Sequence, residues 1–327
     1  MRAAPLDSAL ACAVLAAVAV PAAGCAGAPS TAAAPLAALV QDRLDRCGWV
    51  RLRLFDSEDV VNERCLERLL LEISAELGFI VAQTAAGTRL ARIEDAGQDY
   101  ASHKTRGHQT GAELAFHSDR CDVNLLLYVH AAQAGGEISV VGYDEAAARL
   151  EQVDPDACAT LFDGFPFDLR EERAFPSIAW HWRPILWRTE SGIRGHYIRR
   201  FITDSQRHGD CPRLTSRQAH ALDRFDAVLD ALRAERSFAP LPGDLLALGN
   251  YRVMHARSSF ADDGPRRRLA LRTWIAPFAS ERLPLFLHPL TGCCEPGANR
   301  GGVAPAYEHH SGRDAGQGTA AGRIDHD

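Results

Sequence analysis

The stretch ELAFHSDRCDVNLLLYVH, residues 113–130, sets two metal-competent side chains, His117 and Asp119, directly before an apolar run. In an extended chain successive side chains alternate between faces, so residues i and i+2 point the same way, and an imidazole and a carboxylate can converge on one point. A second His-x-Asp copy, His208-Gly209-Asp210, lies in the Gly/Pro loop QRHGDCPRLT ahead of a capped helix. There Asp and Gly are ordinary turn residues, so the copy at 117 and 119 is the chemical candidate.

Two ligands on one strand need a third from elsewhere. The segment GDLLALGNYRVMHARSSF supplies His255 at the end of an apolar strand, 255 − 117 = 138 residues later. Two histidines and one carboxylate on one face of a metal leave three positions open, the arrangement non-haem Fe(II) uses to take a cosubstrate and dioxygen. Shortly afterwards, GPRRRLALRTWIA places Arg268, Ala270 and Arg272 on one face of a strand, with Leu269 and Leu271 on the other. Guanidinium groups directed into a barrel do not deprotonate and require anions. A dicarboxylate cosubstrate satisfies that demand.

Outward from these segments, SEDVVNERCLERLLLEISAELG reads as an amphipathic helix with Ser57 as its cap, Gly78 as its stop, and Leu66, Leu69, Leu70, Ile73 and Leu77 on one face. TSRQAHALDRFDAVLDALRAE reads as another, with Thr215 and Gln218 in capping-box spacing and Leu222, Phe225, Leu229 and Leu232 facing the core. Short β-rich runs lie between and beyond them: VNLLLYVH, EISVVGY, SIAWHWRPILWR, HYIRRFI, DLLALGNYRVMH and RLALRTWIA. Gly, Pro and Asp clusters separate them, which predicts a mainly β fold with flanking helices (α+β), an antiparallel barrel or jelly roll rather than βαβ units.

The chain has 327 residues, a net charge of −6 spread along its length and scattered arginines, which argues for a small-molecule partner and against nucleic acid. Its nine cysteines form no CxxC pair or regular framework, which favours a reducing compartment. Residues 1–39 read as an Ala/Pro-rich leader, disordered or loosely helical, and 40–290 as the working domain. Residues 291–327, His309 and His310 included, lose periodicity and read as a disordered tail. The competing reading of the leader is an export signal with a lipoprotein-like site at Cys25. Its n-region has one positive charge, Arg2, followed by Asp7, so a cytoplasmic protein without a membrane partner is expected.

Taken in order, His117-x-Asp119, AGGEISVV, NYRVMHARSSF and RRRLALRTWIA resemble the taurine dioxygenase/TfdA-type branch of the Fe(II)/2-oxoglutarate-dependent oxygenases, which includes γ-butyrobetaine hydroxylase and clavaminate synthase-like enzymes. The similarity covers roughly residues 40 to 285. It implies a double-stranded β-helix, iron held by His117, Asp119 and His255, and 2-oxoglutarate and O2 as cosubstrates. Arg268 aligns with the residue that pairs with the distal carboxylate of 2-oxoglutarate. Arg272 aligns where relatives contact the same cosubstrate or an acidic group of the substrate. Many members carry Thr or Ser directly after the GG-acidic turn; here Ile138 follows Glu137, and Ser139 is the stand-in. The implied reaction is hydroxylation, or desaturation, of an unactivated C–H bond with release of succinate and CO2. The expected substrate is small and polar, amino-acid-like or carboxylate-bearing, either free or carrier-bound, with Glu113, Arg200 and Arg272 as candidate contacts. A Zn-dependent hydrolase with the same triad, or a non-catalytic jelly-roll binding protein, is the alternative; neither explains Arg268 and Arg272 together with the triad. Oligomeric state is not legible.

Overall fold

A computed structural model describes residues 3–18, 30–56, 62–98, 109–170, 178–262 and 267–303. In chain order, helices α1 (Ser8–Val18) and α2 (Ala33–Cys47) precede strand β1 (Trp49–Arg53), and α3 (Glu63–Leu77) runs into β2 (Gly78–Val81) and β3 (Leu90–Ile93). Then come β4 (Leu114–His117), β5 (Val123–His130), β6 (Ala134–Gly135) and β7 (Ile138–Gly142), followed by α4 (Tyr143–Val153) and α5 (Pro155–Thr160). Four short strands, β8 (Gly164–Asp168), β9 (Trp180–Pro184), β10 (Leu186–Thr189) and β11 (Gly192–Gly195), lead to α6 (Arg199–Ser205) and α7 (Ser216–Arg236). The chain closes with β12 (Ser237–Phe238), β13 (Asp244–Gly249), β14 (Val253–Arg257), β15 (Phe260–Ala261), β16 (Leu269–Pro277) and α8 (His288–Thr291).

Two antiparallel sheets face each other. The larger has the order β1-β13-β5-β16-β2, with β3 also paired to β16, and the smaller has the order β12-β7-β14-β4. This is the expected jelly roll. Alternation along β5 and β16 assigns the layers: Val123, Leu125, Leu127, Val129, Leu269, Leu271 and Ile275 pack outward against α1, α2 and α3. Leu126, Tyr128 and Ala270 turn inward to meet Ile138, Val140 and Val253 of the smaller sheet. The outer face of the smaller sheet is covered by α4, α5 and α7, through Val141, Leu150, Leu222 and Phe225. The turn between β6 and β7 needs its glycines, because both have left-handed φ and a Cβ on Gly135 would stand 2.1 Å from Ser259 O.

Several boundaries differ from the sequence expectations. Residues 8–18 form a helix whose Val14 and Val18 are fully buried, and α2 already begins at Ala33, so much of the expected leader is core. An Ala-rich segment carries little polarity of its own, and its burial is decided by the α3 face it covers. At the other end, Arg300 is buried against Asp122, so the expected tail does not begin at 291; residues 304–327, with His309 and His310, lie outside the described residues. HYIRRFI is not a strand beyond Ile198, which makes a single bridge to His117 before α6 begins at Arg199. The cap of α3 is Asn62, whose side chain accepts from Arg64 N–H; Ser57 lies outside the described residues. The capping box of α7 is present at Thr215 and Gln218. Among the described cysteines seven are free and Cys65 is disulfide-bonded, a bond that the expectation of a reducing compartment did not foresee. No described helix is long and apolar enough to cross a membrane.

Candidate metal and cosubstrate site

β4 and β14 run antiparallel in the smaller sheet, and their register places His117 directly opposite His255. Cross-strand neighbours approach closely; the two ring centroids are 4.3 Å apart. Asp119 lies just past the end of β4, and one donor atom from each of the three residues falls within a 4.8 Å cluster. The 138-residue separation in sequence thus collapses into one strand pair and a turn.

The surroundings prepare these groups to act as ligands. His117 Nδ1–H donates to Ala115 O at 2.8 Å, a tautomer that leaves the Nε2 lone pair outward. His255 Nδ1 is buried with no hydrogen-bond partner. Burial pushes the His255 pKa down to about 3; His117 pushes the same way and Asp119 opposes, so the ring is neutral near pH 7. Three donors converge on Asp119 Oδ2: Asn124 Nδ2 at 2.7 Å, Trp274 Nε1 at 3.3 Å and Arg272 Nη1 at 3.4 Å. Asn250 Oδ1 fixes the backbone by accepting from Asp119 N–H at 3.0 Å.

The cavity beside this cluster is lined from both sheets and from α6. Arg268 and Arg272 line it, as do Tyr128 and Trp274, consistent with the period-2 face of β16. Arg268 is 2% exposed, and its Nε and Nη1 have no hydrogen-bond partner. Its guanidinium lies 5.5 Å from the Tyr128 ring and 4.9 Å from the Phe260 ring. The Tyr128 hydroxyl is buried and unpartnered too. A desolvated guanidinium with aromatic walls and, among the described residues, no carboxylate is costly unless an anion arrives.

Two sequence-derived candidates are placed differently, and a third, Arg272, lines the cavity as expected while bracing a ligand: it donates from Nε to Gln83 Oε1 at 2.6 Å, rests on the Trp274 ring and pairs with Asp119. Ser139 faces away from the cavity: Ile138 and Val140 hold the inward positions of β7, and Ser139 Oγ lies 2.7 Å from Ser237 Oγ. Glu113 pairs with Arg233 of α7 at 3.1 Å with its side chain 58% exposed, and does not line the cavity. Arg200 does line it, with Asp204 at 3.5 Å. Asn124, Tyr128 and Trp274 escaped the sequence reading although period 2 signals them: Asn124 and Tyr128 share a face of β5 with Leu126, and Trp274 continues the 268-270-272 series.

With this geometry in place, comparison with known proteins is informative. A family model described as "Taurine catabolism dioxygenase TauD, TfdA family" matches residues 26–274, most of the chain and every site residue named above. The chain belongs to the TauD/TfdA family. One relative, FR-33289 synthase of Streptomyces rubellomurinus (strain ATCC 31215), is 29% identical over 225 residues, which is 66% of this chain and 65% of that protein's length. Solved TauD-fold structures superpose over most of the chain. An asparagine oxygenase in complex with Fe(II), 2S,3S-3-hydroxyasparagine and succinate has a TM-score of 0.61 at 18% identity, covering 84% of this chain and 93% of that one. The non-heme iron oxygenase OrfP in complex with Fe and α-ketoglutaric acid has a TM-score of 0.58 at 19% identity, covering 84% and 94%.

Proposed function

We propose that this TauD/TfdA-family protein is an Fe(II)/2-oxoglutarate-dependent oxygenase that hydroxylates an unactivated C–H bond of a small polar, carboxylate-bearing or amino-acid-like substrate, releasing succinate and CO2. One observation carries the reading: an N,N,O cluster lies in the same cavity as a buried guanidinium that meets no carboxylate among the described residues. The donor set fits the metal. Two imidazoles and one carboxylate on one face suit Fe(II) and leave positions for cosubstrate and dioxygen. When bound, the metal would activate dioxygen, the oxidant for C–H hydroxylation, with 2-oxoglutarate as the two-electron reductant that leaves as succinate and CO2.

The chain's own residues do the rest. Arg268 offers two unpaired N–H groups and Tyr128 an unpaired hydroxyl at the inner end of the cavity, a fork suited to the distal carboxylate of 2-oxoglutarate. Asn124, Trp274 and Arg272 hold the Asp119 carboxylate in one orientation. Ile138, Leu126 and Ile93 keep the walls apolar, which excludes water from the reacting centre. The neighbouring structures that hold succinate beside a hydroxylated amino acid support a product of that size. A hydrolase built on the same triad leaves Arg268 and Tyr128 without a task.

Anaerobic titration of the protein with Fe(II) and 2-oxoglutarate tests the reading. A visible metal-to-ligand charge-transfer band is expected, lost in His255→Ala and Asp119→Ala. Metal binding without that band, or succinate formation unaffected by either substitution, overturns it.

A further inference from the structure

Strand alternation along β9 turns Trp182 toward solvent and sends His181 and Arg183 into the protein. Arg183 is 1% exposed, and its guanidinium lies 3.4 Å from the ring centroid of Phe167 on β8. Both terminal nitrogens are engaged. Nη1 donates to Pro184 O at 3.2 Å and to His196 O at 3.0 Å, and Nη2 donates to His196 Nδ1 at 2.8 Å. Nε is buried with no hydrogen-bond partner, and among the described residues no carboxylate pairs with Arg183. Burial lowers its pKa to about 9, so the charge is kept at neutral pH.

Three further buried side chains share the region. Because His196 Nδ1 accepts from Arg183, its proton sits on Nε2, and that N–H is buried and unpartnered. The Tyr251 ring lies 6.1 Å from the His196 ring, and the Tyr251 hydroxyl is buried and unpartnered as well. His181 has neither ring nitrogen hydrogen-bonded. Burial, with Arg183 and Arg120 adding, pushes the His181 pKa down to about 2 and the His196 pKa well below the usual histidine range, which keeps both rings neutral and sets them within electrostatic range of two guanidinium groups. The nearby carboxylates are committed elsewhere: Asp122 accepts from Arg300 Nε and Nη2, and Asp119 belongs to the metal cluster. Buried positive charge among unsatisfied donors is costly unless an anion compensates it.

The donors also sort the anions. A guanidinium grips a planar carboxylate with two parallel N–H groups. Arg183 has both Nη atoms turned to the backbone and ring of His196 and to Pro184, which leaves Nε alone. Single donors from separate side chains suit a monoatomic ion. The place is distinct from the cavity, because His181, Arg183, His196 and Tyr251 do not line it. It stands beside the metal cluster through two shared segments. Asp119 is a metal-cluster residue and Arg120 follows it; Asn250 Oδ1 accepts from Asp119 N–H and Tyr251 follows Asn250.

We propose that Arg183 Nε, His196 Nε2 and the Tyr251 hydroxyl hold a single halide ion, chloride being the common one, in a buried site next to the metal cluster. The ion is the counter-charge of Arg183 and is independent of the cosubstrate.

The test is thermal melting of the whole protein in sodium gluconate, exchanged stepwise for chloride, bromide or formate at constant ionic strength. A saturable rise is expected with both halides, reaching roughly 4 °C at about 100 times Kd, and a smaller one with formate. Crystals soaked in bromide should show its anomalous signal in contact with Arg183 and His196. Arg183→Met should abolish the halide-dependent rise whatever its melting temperature in gluconate, whereas a purely structural arginine would lower melting equally in every salt. Tyr251→Phe removes only a hydroxyl and decides the matter should Arg183→Met fail to fold; it should weaken bromide about tenfold or more. Identical melting in every anion, as for a cluster satisfied by water, overturns the proposal. So does a larger rise with formate than with either halide, a halide-dependent rise undiminished in the variants, or bromide located only elsewhere.

Discussion

Replacing Arg268 by methionine should separate binding from folding. The wild-type guanidinium is 2% exposed, is contacted by two aromatic rings and has Nε and Nη1 unpaired. Without cosubstrate it is a buried charge whose removal is neutral or stabilises by up to about 2 kcal/mol, since isosteric apolar replacement of buried charge often does. With cosubstrate it is one half of a desolvated charge-assisted pair, and truncation costs on the order of 2–5 kcal/mol, or roughly 30- to several-thousand-fold in affinity. Thermal melting shows both effects in one assay. At a 2-oxoglutarate concentration about 100 times Kd, wild-type protein with an inert divalent metal gains about 2.7 kcal/mol, or roughly 4 °C for a chain of this size. If Kd rises 100-fold, the same concentration yields about 0.4 kcal/mol, under about 1 °C. The expected pattern is an unchanged or higher melting temperature without ligand and a lost ligand-dependent gain. An equal drop in both conditions would show that Arg268 serves the fold and not the cosubstrate.

Other outcomes follow from neighbouring contacts. Arg272→Leu removes a support of Asp119 and should weaken Fe(II) binding about 10- to 100-fold with a smaller effect on 2-oxoglutarate, measured by metal titration. Ser139→Ala should leave the 2-oxoglutarate affinity within about twofold of wild type, measured in the same titration, because that hydroxyl meets Ser237 and not the cavity. Deleting residues 3–18 should lower the melting temperature, since Val14 and Val18 are fully buried and each such side chain contributes roughly 1.5–3 kcal/mol; unchanged melting would show that α1 is dispensable. His181 is buried with both ring nitrogens unpartnered, and burial pushes its pKa down to about 2, with Arg183 and Arg120 adding. A depressed folded-state pKa makes the unfolded chain bind the extra proton, so stability falls as pH drops below about 6.5, by up to about 1.4 kcal/mol per pH unit. His181→Phe, packed toward Phe167, should flatten that acid limb in urea melts between pH 6.5 and 4.

What the sequence made legible follows from periodicity. Alternation placed His117 with Asp119 and Arg268 with Arg272, and the same rule separates the helix-facing from the cavity-facing residues of β5 and β16. Where alternation was set against a family pattern it was the safer guide: Ser139 was offered for a role that its position, one residue out of phase with Ile138, cannot fill. Partner choice was not legible. Arg272 points inward as its phase requires, but its distance to Asp119 depends on two strands and a turn that no local pattern encodes. Glu113 precedes β4 in the chain and is drawn outward by Arg233, 120 residues later on α7. The Ala-rich N-terminus lacks the strong amphipathic signature by which helices announce burial, whereas α4, YDEAAARLEQV, went unread although its buried Tyr143, Ala146, Ala147 and Leu150 stand at helical spacing on one face.

β16 also explains why the metal end and the cosubstrate end of the cavity should respond together to mutation. Its inward residues alternate as Arg268, Ala270, Arg272 and Trp274, so one rigid strand carries the anion fork at one end and two of the three donors on Asp119 Oδ2 at the other. Its outward residues are locked in turn: Thr273 Oγ1 lies 2.8 Å from Ser74 Oγ on α3, and Leu269, Leu271 and Ile275 are buried in the helix-facing core. Ala270, small and fully buried between the two arginines, leaves the intervening space open. A larger side chain there would have to displace Arg268, Arg272 or the facing strand, because close-packed interiors absorb added volume poorly. Ala270→Leu is therefore expected to weaken Fe(II) and 2-oxoglutarate binding together, whereas Arg268→Met affects chiefly the cosubstrate and Arg272→Leu chiefly the metal. Independent behaviour of the two affinities in Ala270→Leu would mean that the strand does not transmit displacement between its ends.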